Sequence, residues 1–421
     1  MLTSSDFANL AEVVIARCRK LASFSEDAGG TRRTFLSPPM KDCHREVSSW
    51  MQTPGMTVSV DSVGNLRGFY AGSSSAAPRL LIGSHLDTVP NAGAFDGILG
   101  VVLAVALVES LRGVKLPFGI EVIGFSEEEG VRFGVPFIGS RALVGRVNEE
   151  LLGRKDVNGI SVRKAIQDFG LNPNDISKAA LRDDVLGYIE FHIEQGPVLE
   201  SLGQPLGVVE AVVGQNRLEF NFLGQANHAG TTPMNLRRDA LAAAAEWIVA
   251  VEGSAGRTKG LVATVGFVEA KPGATNVIAG EARATLDIRH ASDRDRTEAL
   301  DELIRQAESI AARRGTTVKW RTLLSQTAVT MDPFLTKQIE HAIQKAGCEP
   351  HRMASGAGHD AMILAEKTPA AMIFLRTPGG ISHDPAESVH PDDVAKALEC
   401  GHHLLTQLAA SQEFLGRTCR A

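Results

Sequence analysis

Two strongly apolar segments that each run into polar residues constrain the fold of this 421-residue chain. Arg79–Val89 (RLLIGSHLDTV) and Phe118–Phe125 (FGIEVIGF) are predicted strands, and Gly97–Leu111 between them has the length and composition of a buried helix. Strand, helix and strand in this order predict a parallel sheet covered by helices, which is an α/β fold. Ligands bind such sheets beyond the carboxyl ends of the strands, where both polar clusters lie. We therefore expect the functional site at this edge of the sheet.

A second pattern occupies the middle of the chain. Arg217–Leu223 (RLEFNFL) alternates polar and apolar residues, which is typical of a half-exposed antiparallel strand, and amphipathic helical segments follow it. Beyond this region the buried apolar strands return, and the chain as a whole is too long for one compact core. We predict a discontinuous catalytic domain, residues 1–213 and 332–421, interrupted by a smaller α+β domain of residues 214–331.

Charge and composition exclude several classes of protein. The net charge of -6 at pH 7 offers no basic surface for nucleic acid or for an anionic membrane. The longest apolar run, Gly97–Val108, is too short to span a bilayer, and the N-terminus lacks the apolar stretch of a signal peptide. The cysteines are odd in number and scattered, which fits reduced thiols and argues against a thiolate metal site. We expect a soluble, cytoplasmic protein. The five cysteines are Cys18, Cys43, Cys348, Cys400 and Cys419.

The first polar cluster, GSHLDTVPNAGAFDG at residues 83–97, contains side chains suited to a metal site. His85, Asp87 and Asp96 combine imidazole with carboxylate, a set of ligands that suits Zn or Mn. One carboxylate can bridge two cations, which are typically ~3.5–4 Å apart in such sites. Asp87 follows His85 by two strand positions and is predicted to hydrogen-bond its imidazole. A solvated loop is the common alternative for any one of these residues, but it does not explain the whole arrangement.

The second polar cluster is SEEEGVRFG at residues 126–134. Glu127, Glu128 and Glu129 follow a buried strand directly, and adjacent carboxylates repel one another unless cations neutralise them. On a surface helix they would be a solvated acidic face. Here the run continues a buried strand and is followed by apolar residues, which favours a turn facing a metal. One acid can then bind metal while another takes a proton from water.

Two further histidines complete a set of candidate ligands. His192 lies in FHIEQGPVLE and His383 in GGISHDPAE, and each is flanked by small or polar residues rather than by an apolar face. Other histidines lack such surroundings and are expected to be structural or surface residues. They are His44, His290, His341, His351, His390, His402 and His403.

The middle domain contributes a third group of candidates. His228 lies in NHAGTTPM, Asn276 in PGATNVIAG and Arg289 in LDIRH. An arginine can hold a substrate carboxylate with two parallel hydrogen bonds, and an amide side chain suits a ureido or carboxylate group. Each of these residues alone is weak evidence, because most Asn and Arg residues are exposed and bind nothing.

Taken together, the motifs resemble the hydantoinase/carbamoylase branch of the M20 metallopeptidase-like hydrolases along nearly the whole chain. The resemblance rests on HLDTVPNAGAFDG, the EEG turn, HIEQGPVLE, HAGTTPM, GAGHDAM and GISHDPAE, with the segments around Asn276 and Arg289. Within that branch, FSEEEGVRF, PLGVVEAVVGQNRLEF, SGAGHDAM and FLRTPGGISH are most similar to allantoate amidohydrolases. N-carbamoyl-L-amino acid hydrolases and β-ureidopropionases tend to have Thr-Asn where this chain has Ser126 and Glu127.

The resemblance implies two divalent metal ions per subunit, Zn or Mn with Co as a third possibility. Asp96 would bridge the ions, and His85 and His192 would bind different ions. Glu128 would be the general base, with Asp87 as a further catalytic-site residue. The implied metal ligands are His85, Asp96, Glu129, His192 and His383.

Three consecutive glutamates leave one alternative open. Glu127 could be the base and Glu128 the ligand. The family keeps a glycine directly after the ligand, as Gly130 follows Glu129, and this favours Glu128 as base and Glu129 as ligand, with Glu127 as an extra acid.

The resemblance also implies that the middle domain is a lid that forms a homodimer. His228 would reach the active site of the neighbouring subunit and stabilise an oxyanion, and Gly380 would pair with Gly379 in offering backbone groups. The implied substrate-binding residues are Gln195, Gln215, His228, Asn276, Arg289, Gly358 and Gly379.

The implied reaction is hydrolysis of the ureido C–N bond of a small anionic substrate, with allantoate first. An N-carbamoyl-L-amino acid hydrolase or β-ureidopropionase is the nearest alternative. A dipeptidase or deacylase of the wider family is disfavoured, because many of these have Asp where His192 stands. A non-catalytic metal-binding protein would be expected to lack the base or a ligand, and the sequence has both.

Overall fold

The computed structural model describes residues 2–417 and separates them into two compact units. Unit 1 comprises the described residues of Met1–Glu210, Met331–Met353 and Gly358–Ala421, and unit 2 comprises Ala211–Thr330 and Ala354–Ala357. Unit 2 thus includes two short pieces that were predicted to belong to the catalytic domain, residues 211–213 and Ala354–Ala357. The backbone N–H of Val213 donates to the carbonyl of Ser355 at 2.9 Å, which ties these pieces to each other.

The described residues form strands and helices with the following bounds. The strands are β1 (Thr57–Val60), β2 (Leu66–Tyr70), β3 (Arg79–His85), β4 (Gly119–Phe125), β5 (Val185–Ile193), β6 (Leu206–Val212), β7 (Gly214–Leu223), β8 (Asn227–His228), β9 (Val262–Lys271), β10 (Val277–Ile278), β11 (Glu281–His290), β12 (Thr317–Gln326), β13 (Val329–Thr330), β14 (His351–Ser355) and β15 (Ala370–Leu375). The α-helices are α1 (Ser4–Ala22), α2 (Pro38–Gln52), α3 (Ile98–Ser110), α4 (Ile138–Leu143), α5 (Glu149–Gly153), α6 (Val162–Phe169), α7 (Val198–Leu202), α8 (Ala240–Arg257), α9 (Asp293–Arg313), α10 (Pro333–Lys345), α11 (Asp360–Leu364), α12 (Pro391–Ala410) and α13 (Gln412–Leu415).

Unit 1 is built on a mixed sheet with a parallel centre. Its strands follow the order β1-β2-β4-β3-β5-β15-β6, and β14 also pairs with β6. The neighbours β4, β3, β5 and β15 are parallel, whereas the pairs towards either edge are antiparallel. The predicted α/β class is confirmed. Because β3 and β5 are parallel neighbours, their carboxyl ends meet at one edge of the sheet.

Helix α3 forms the centre of the unit 1 core. Every residue of α3 except Glu109 is buried, because the helix packs against β3 and β5 on one side and against α1 and α12 on the other. A helix that is apolar around its whole circumference is stable in water only when it is covered on all sides. The burial of α3 fixes the turn at its N-terminus, where the first polar cluster lies.

Unit 2 has a separate antiparallel sheet in the order β12-β7-β11-β9. Along β7, buried residues alternate with exposed or partly buried ones, as the alternation of Arg217–Leu223 predicted for a sheet with one covered face. Helices α8 and α9 provide the cover, and Trp247 and Leu303 from them belong to the core of this unit. The predicted roles of this unit as lid and dimerisation domain remain predictions.

Two further expectations can be compared with the structure. None of the helices within residues 2–417 combines the length and the apolar character that crossing a membrane requires. Cys18, Cys43, Cys348 and Cys400 are free thiols, and Cys419 lies outside the described residues.

Candidate metal centre

The first polar cluster begins at His85, the last residue of β3. Nδ1 of His85 donates to the backbone carbonyl of Asp87 at 2.9 Å, which leaves a lone pair on Nε2 for a metal. The sequence predicted this contact for the Asp87 carboxylate, but its Oδ1 is 3.6 Å from Nδ1. The difference arises because β3 ends at His85, so the strand alternation that would align the two side chains does not continue.

The Asp87 carboxylate instead holds the glutamate cluster. Its Oδ1 accepts the backbone N–H of Glu128 at 2.9 Å, and its Oδ2 accepts that of Glu129 at 3.1 Å. Asp87 is buried, so these are its main means of compensating for lost water. The carboxylate therefore links the two turns that follow β3 and β4, which favours a positioning role for Asp87.

Asp96 is fixed by a buried carboxylate from another part of the chain. Oε1 of Glu387 accepts the backbone N–H groups of Phe95 at 2.8 Å and of Asp96 at 3.0 Å. Gly97 follows with a φ of 69°, and a Cβ at this position would collide with the His85 ring. Glycine is therefore required here both for the backbone conformation and for the close approach of the imidazole.

His85, Asp96 and His192 form the first candidate metal group, with ligand atoms within 4.8 Å of one another. His192 lies on β5, and its Nδ1 donates to the carbonyl of Ile193 at 2.9 Å. Its Nε2 is 3.3 Å from Oδ1 of Asp96 and 3.4 Å from Nε2 of His85. The adjacent strands β3 and β5 bring both rings to one position, which favours one shared metal over the expectation that the two histidines bind different metals.

Asp96, Glu129 and His383 form the second candidate group, again with ligand atoms within 4.8 Å. Nε2 of His383 is 3.1 Å from Oδ2 of Asp96 and 3.7 Å from Oε1 of Glu129. Asp96 thus directs Oδ1 at the first group and Oδ2 at the second. This is the geometry of a carboxylate that bridges two cations.

The three glutamates have different surroundings. Glu128 shares a candidate group with His85 and Glu129. Glu127 belongs to none of the candidate groups found among residues 2–417, and its Oε1 accepts the N–H of Gly130 at 2.6 Å. These surroundings favour Glu128 as base and Glu129 as ligand over the alternative that begins at Glu127.

Burial dominates the electrostatics of the cluster. Burial, opposed by His85 and reinforced by Glu129, raises the pKa of Glu128 well above its usual value. Burial and the charge of Asp96 raise the pKa of Glu129 to about 7, while burial lowers the pKa of His192 to about 4. Crowded carboxylates that resist ionisation are relieved when cations bind between them, and the low pKa of His192 leaves its imidazole neutral for a metal. The residues present therefore fit two divalent metal ions.

Three buried residues beside the site were not predicted from the sequence as functional. The ring of His359 lies 4.5 Å from that of His192, and with Glu190 these two bring ligand atoms within 4.8 Å of one another. Glu190 also accepts the N–H of Ala361 at 2.9 Å. The third is Glu387. The sequence does contain indications that these residues lie at the site. His359 belongs to the GAGHDAM motif, and the two glutamates lie close in sequence to predicted metal ligands.

Two residues of unit 1 that were predicted to bind substrate, Gln195 and Gly358, also make contacts within the protein itself. Nε2 of Gln195 donates to Oδ1 of Asp96 at 3.0 Å, so this amide already contacts the shared carboxylate. At Gly358, an added Cβ would lie 2.8 Å from Cζ of Phe137. Close packing against this ring therefore explains the glycine at 358 without any substrate.

The glycine pair after β15 does not offer its N–H groups freely. The N–H of Gly379 donates to Oε2 of Glu200 at 2.9 Å, and that of Gly380 donates to the carbonyl of Thr377 at 2.9 Å. The fold already uses these two N–H groups, and the expectation that backbone groups of this pair contact a substrate remains a prediction.

In unit 2, the His228 and Asn276 segments are neighbours. The short strands β8 and β10 pair so that His228 lies opposite Val277, and the N–H of Ala229 donates to the carbonyl of Asn276 at 2.9 Å. His228 is exposed. The structure thus brings two of the predicted substrate residues of the middle domain together.

Gln215 and Arg289 form a second pair, directly opposite each other on β7 and β11. The Arg289 guanidinium donates from Nε and Nη2 to the two oxygens of Asp287 at 2.8 and 2.9 Å. Its Nη1 donates to the carbonyl of Gly356 at 2.7 Å. Since a guanidinium has five N–H donors, two remain for a ligand.

Comparison with known proteins agrees with this fold. The model of "Peptidase family M20/M25/M40" matches residues 81–407. The chain is 38% identical to an allantoate deiminase of Arabidopsis thaliana over 92% of its own length and 80% of the relative's. It is also 38% identical to an N-carbamoyl-L-amino acid amidohydrolase of Geobacillus stearothermophilus, over 92% of this chain and 95% of that one.

Solved structures also resemble this chain in fold. A hydantoinase/carbamoylase family amidase from Burkholderia ambifaria superposes with a TM-score of 0.89 at 32% identity, covering 95% of this chain and 98% of that one. The likeness in sequence and in structure extends over nearly all of both chains. The protein therefore belongs to peptidase family M20/M25/M40.

Proposed function

We propose that this protein is a metal-dependent amidohydrolase that cleaves the ureido C–N bond of a small carboxylate, with allantoate as the preferred substrate. The observation that carries the proposal is the position of Asp96 between two groups of ligands, with Glu128 beside them. A shared carboxylate and a nearby base together suit hydrolysis assisted by two metals. The relatives support the substrate class, because allantoate and N-carbamoyl-L-amino acids are both ureido carboxylates.

The two metal positions follow from the candidate groups. His85 and His192 would hold one ion, Glu129 and His383 the other, and Asp96 would contact both. When bound, the ions polarise the substrate carbonyl and lower the pKa of a water molecule. We propose Zn or Mn, with Co also acceptable, because imidazole and carboxylate ligands suit each of them.

The remaining steps fall to side chains. Glu128 takes a proton from the attacking water and delivers it to the leaving nitrogen, a role that suits a carboxylate lying beside His85 and Glu129. His228 donates a hydrogen bond to the tetrahedral oxyanion, and deleting one such donor costs ~3–4 kcal/mol in comparable enzymes. Arg289 and Asn276 bind the substrate carboxylate, Arg289 with the two donors that its structural contacts leave over.

For allantoate, the products are ureidoglycine, ammonia and carbon dioxide. Hydrolysis of N-carbamoyl-L-amino acids is the second candidate, because relatives of both kinds are equally identical to this chain. The two substrates present the same ureido group to the metals and differ in the rest of the molecule.

A metal-reconstituted assay separates these functions. The protein is stripped of metal, reloaded with Zn or Mn, and supplied with allantoate, N-carbamoyl-L-amino acids, N-carbamoyl-β-alanine or a dipeptide. We expect the highest kcat/KM for allantoate, with release of ammonia, and a kcat lowered by about 10³–10⁴ in Glu128→Gln. Dominant turnover of an N-carbamoyl acid would move the assignment to the second candidate. Turnover of the dipeptide alone would contradict ureido hydrolysis altogether.

We further propose that the protein works as a homodimer formed through unit 2, with His228 serving the site of the partner subunit. Strand β9 lies at the edge of its sheet, and its Val262 and Val268 are 58% and 50% exposed. Close to His228, Met234 and Leu236 are 77% and 68% exposed. Edge strands and exposed apolar side chains of this kind are commonly covered by another chain.

Subunit mixing tests the cross-subunit role. The single variants His228→Ala and Glu128→Gln should each be nearly inactive. A mixed dimer of the two variants contains one site with an intact base and an intact His228, so activity should return on mixing. Lack of complementation would remove the cross-subunit role, and a monomeric mass in light scattering would contradict the dimer itself.

A further inference from the structure

Nδ1 of His228 accepts two backbone hydrogen bonds. The N–H of Gly230 donates to it at 3.0 Å and the N–H of Thr231 at 3.2 Å. A ring nitrogen that accepts hydrogen bonds carries no proton, and neutral imidazole has only one N–H. The hydrogen-bond network therefore assigns the proton of His228 to Nε2.

Hydrogen bonds from Thr232 and Arg237 stabilise the turn that supplies these amides. Thr232 donates to the carbonyl of His228 from its backbone N at 3.2 Å and from its Oγ1 at 2.8 Å. The guanidinium of Arg237 donates from Nη2 to the carbonyl of Ala229 at 2.6 Å and from Nε to that of Thr232 at 3.1 Å. Arg237 thus spans the turn and keeps its amides aimed at the imidazole.

We infer that the segment 228–237 fixes His228 in the Nε2–H tautomer, and that Arg237 is the positioning residue of this arrangement. Nε2 has no hydrogen-bond partner within the described residues 2–417, and the ring is exposed, so the N–H is available as a donor. The other tautomer would turn a lone pair towards an oxyanion and repel it. The inference rests on the proposed role of His228 as oxyanion donor and explains how the protein prepares it without a charged imidazole.

The tautomer can be measured directly. The full-length protein is labelled with ¹⁵N-histidine, and long-range ¹H–¹⁵N correlations are recorded at neutral pH. Signals absent from His228→Gln belong to His228. We expect a protonated Nε2 and an unprotonated Nδ1. A protonated Nδ1, or fast exchange between the two forms, would overturn the inference whatever the activity of the protein.

Two substitutions distinguish the ring nitrogens by kinetics. The side-chain amide of glutamine reaches the position of Nε2, whereas that of asparagine reaches the position of Nδ1. His228→Asn should lose the donor and lower kcat by about 10²–10³, and His228→Gln should lower it only by about tenfold. Higher kcat with Asn than with Gln would show that Nδ1 is the donor and would overturn the inference.

Arg237→Met tests the positioning residue, with Arg238→Met as its matched control. Arg238 is adjacent and exposed. Arg237→Met should give a mixture of tautomers and lower kcat by about tenfold at unchanged KM, because only the transition state gains from an aligned donor. The control should change neither. A fixed tautomer and an unchanged kcat in Arg237→Met would remove the role of Arg237. Full kcat in His228→Ala would instead contradict the proposed oxyanion role and leave the tautomer measurement intact.

Discussion

The candidate metal ligands of unit 1 and the predicted substrate residues of unit 2 are held in different ways. His85 and His192 are 2% and 1% exposed, and backbone carbonyls orient both rings. His228 is exposed and Arg289 half-buried, and most of their contacts come from residues two or three positions away in the chain. The first set depends on the packed core of its unit, whereas the second depends on short local turns and strand neighbours.

The two sets of residues differ in how much they cost in folding free energy. Burying several carboxylates together opposes folding until cations balance them, so the rigid core of unit 1 holds the ligands in place at some cost to stability. Exposed recognition residues impose no such cost. Their binding partner is a substrate or another chain, so their contacts within unit 2 need only fix the orientation of the side chains.

The largest expected effect comes from Glu128→Gln. Removing the general base should lower kcat by about 10³–10⁴ while two metals per subunit remain bound, because Glu129 and the histidines are untouched. Metal content is measured by elemental analysis alongside kcat. Glu127→Gln is the matched control, since its Oε1 can still accept the N–H of Gly130, and we expect near-normal activity.

The opposite outcome has a clear meaning. Loss of a metal in Glu128→Gln, together with loss of activity in Glu127→Gln, would assign base and ligand to Glu127 and Glu128. The surroundings of Glu127 would then not reflect its role.

A smaller effect is expected for Arg289→Ala in unit 2. Loss of a charged hydrogen-bond donor to the substrate carboxylate should raise KM by about tenfold or more, with kcat changed much less. Steady-state kinetics with an anionic ureido substrate measures both constants. Arg283→Ala on the same strand, β11, is the control and should leave KM unchanged, because Arg283 pairs with Glu219 and Glu269. An unchanged KM in Arg289→Ala would remove this residue from the substrate site.

The smallest effect concerns a buried histidine away from the metals. Burial, aided by Arg33, lowers the pKa of His44 to about 4, so the unfolded chain binds a proton here more tightly than the folded chain does. Above about pH 6.5 His44 is neutral in both states and does not lower the free energy of unfolding. As the pH falls towards about 4, protonation of His44 in the unfolded chain lowers the free energy of unfolding. Between about pH 7 and about pH 5.5, the free energy of unfolding should fall by about 1 kcal/mol more in wild type than in His44→Leu.

Chemical denaturation of the metal-free protein at several pH values measures this difference. Equal slopes in wild type and His44→Leu would show that burial of His44 does not create a proton-linked contribution.

Sequence reasoning located the candidate metal centre because strand ends are readable from a short stretch of chain. A buried apolar run that stops at a polar cluster marks the edge of a sheet, and His85, Asp96 and Glu129 all lie in such clusters. Alternation of polar and apolar residues is equally local, and the antiparallel strand predicted at Arg217–Leu223 lies within β7.

Long-range and atomic details were beyond the sequence. Which strands are neighbours is a property of the whole sheet, so the adjacency of β3 and β5, which turns His192 towards His85, could not be read from either segment. Because β3 ends at His85, the hydrogen bond of the imidazole goes to the backbone carbonyl of Asp87, and the carboxylate lies 3.6 Å away. A pattern of residue types does not specify strand ends to one residue. Within three consecutive glutamates, only the geometry of the turn distinguishes the side chains.

Anomalous X-ray diffraction from crystals loaded with Mn or Zn tests the proposed metal centre most directly. We expect two peaks per subunit, ~3.5–4 Å apart, with Asp96 contacting both. One peak should lie between His85 and His192, and the other between Glu129 and His383. A single peak, or two peaks that do not share Asp96, would contradict the dinuclear site.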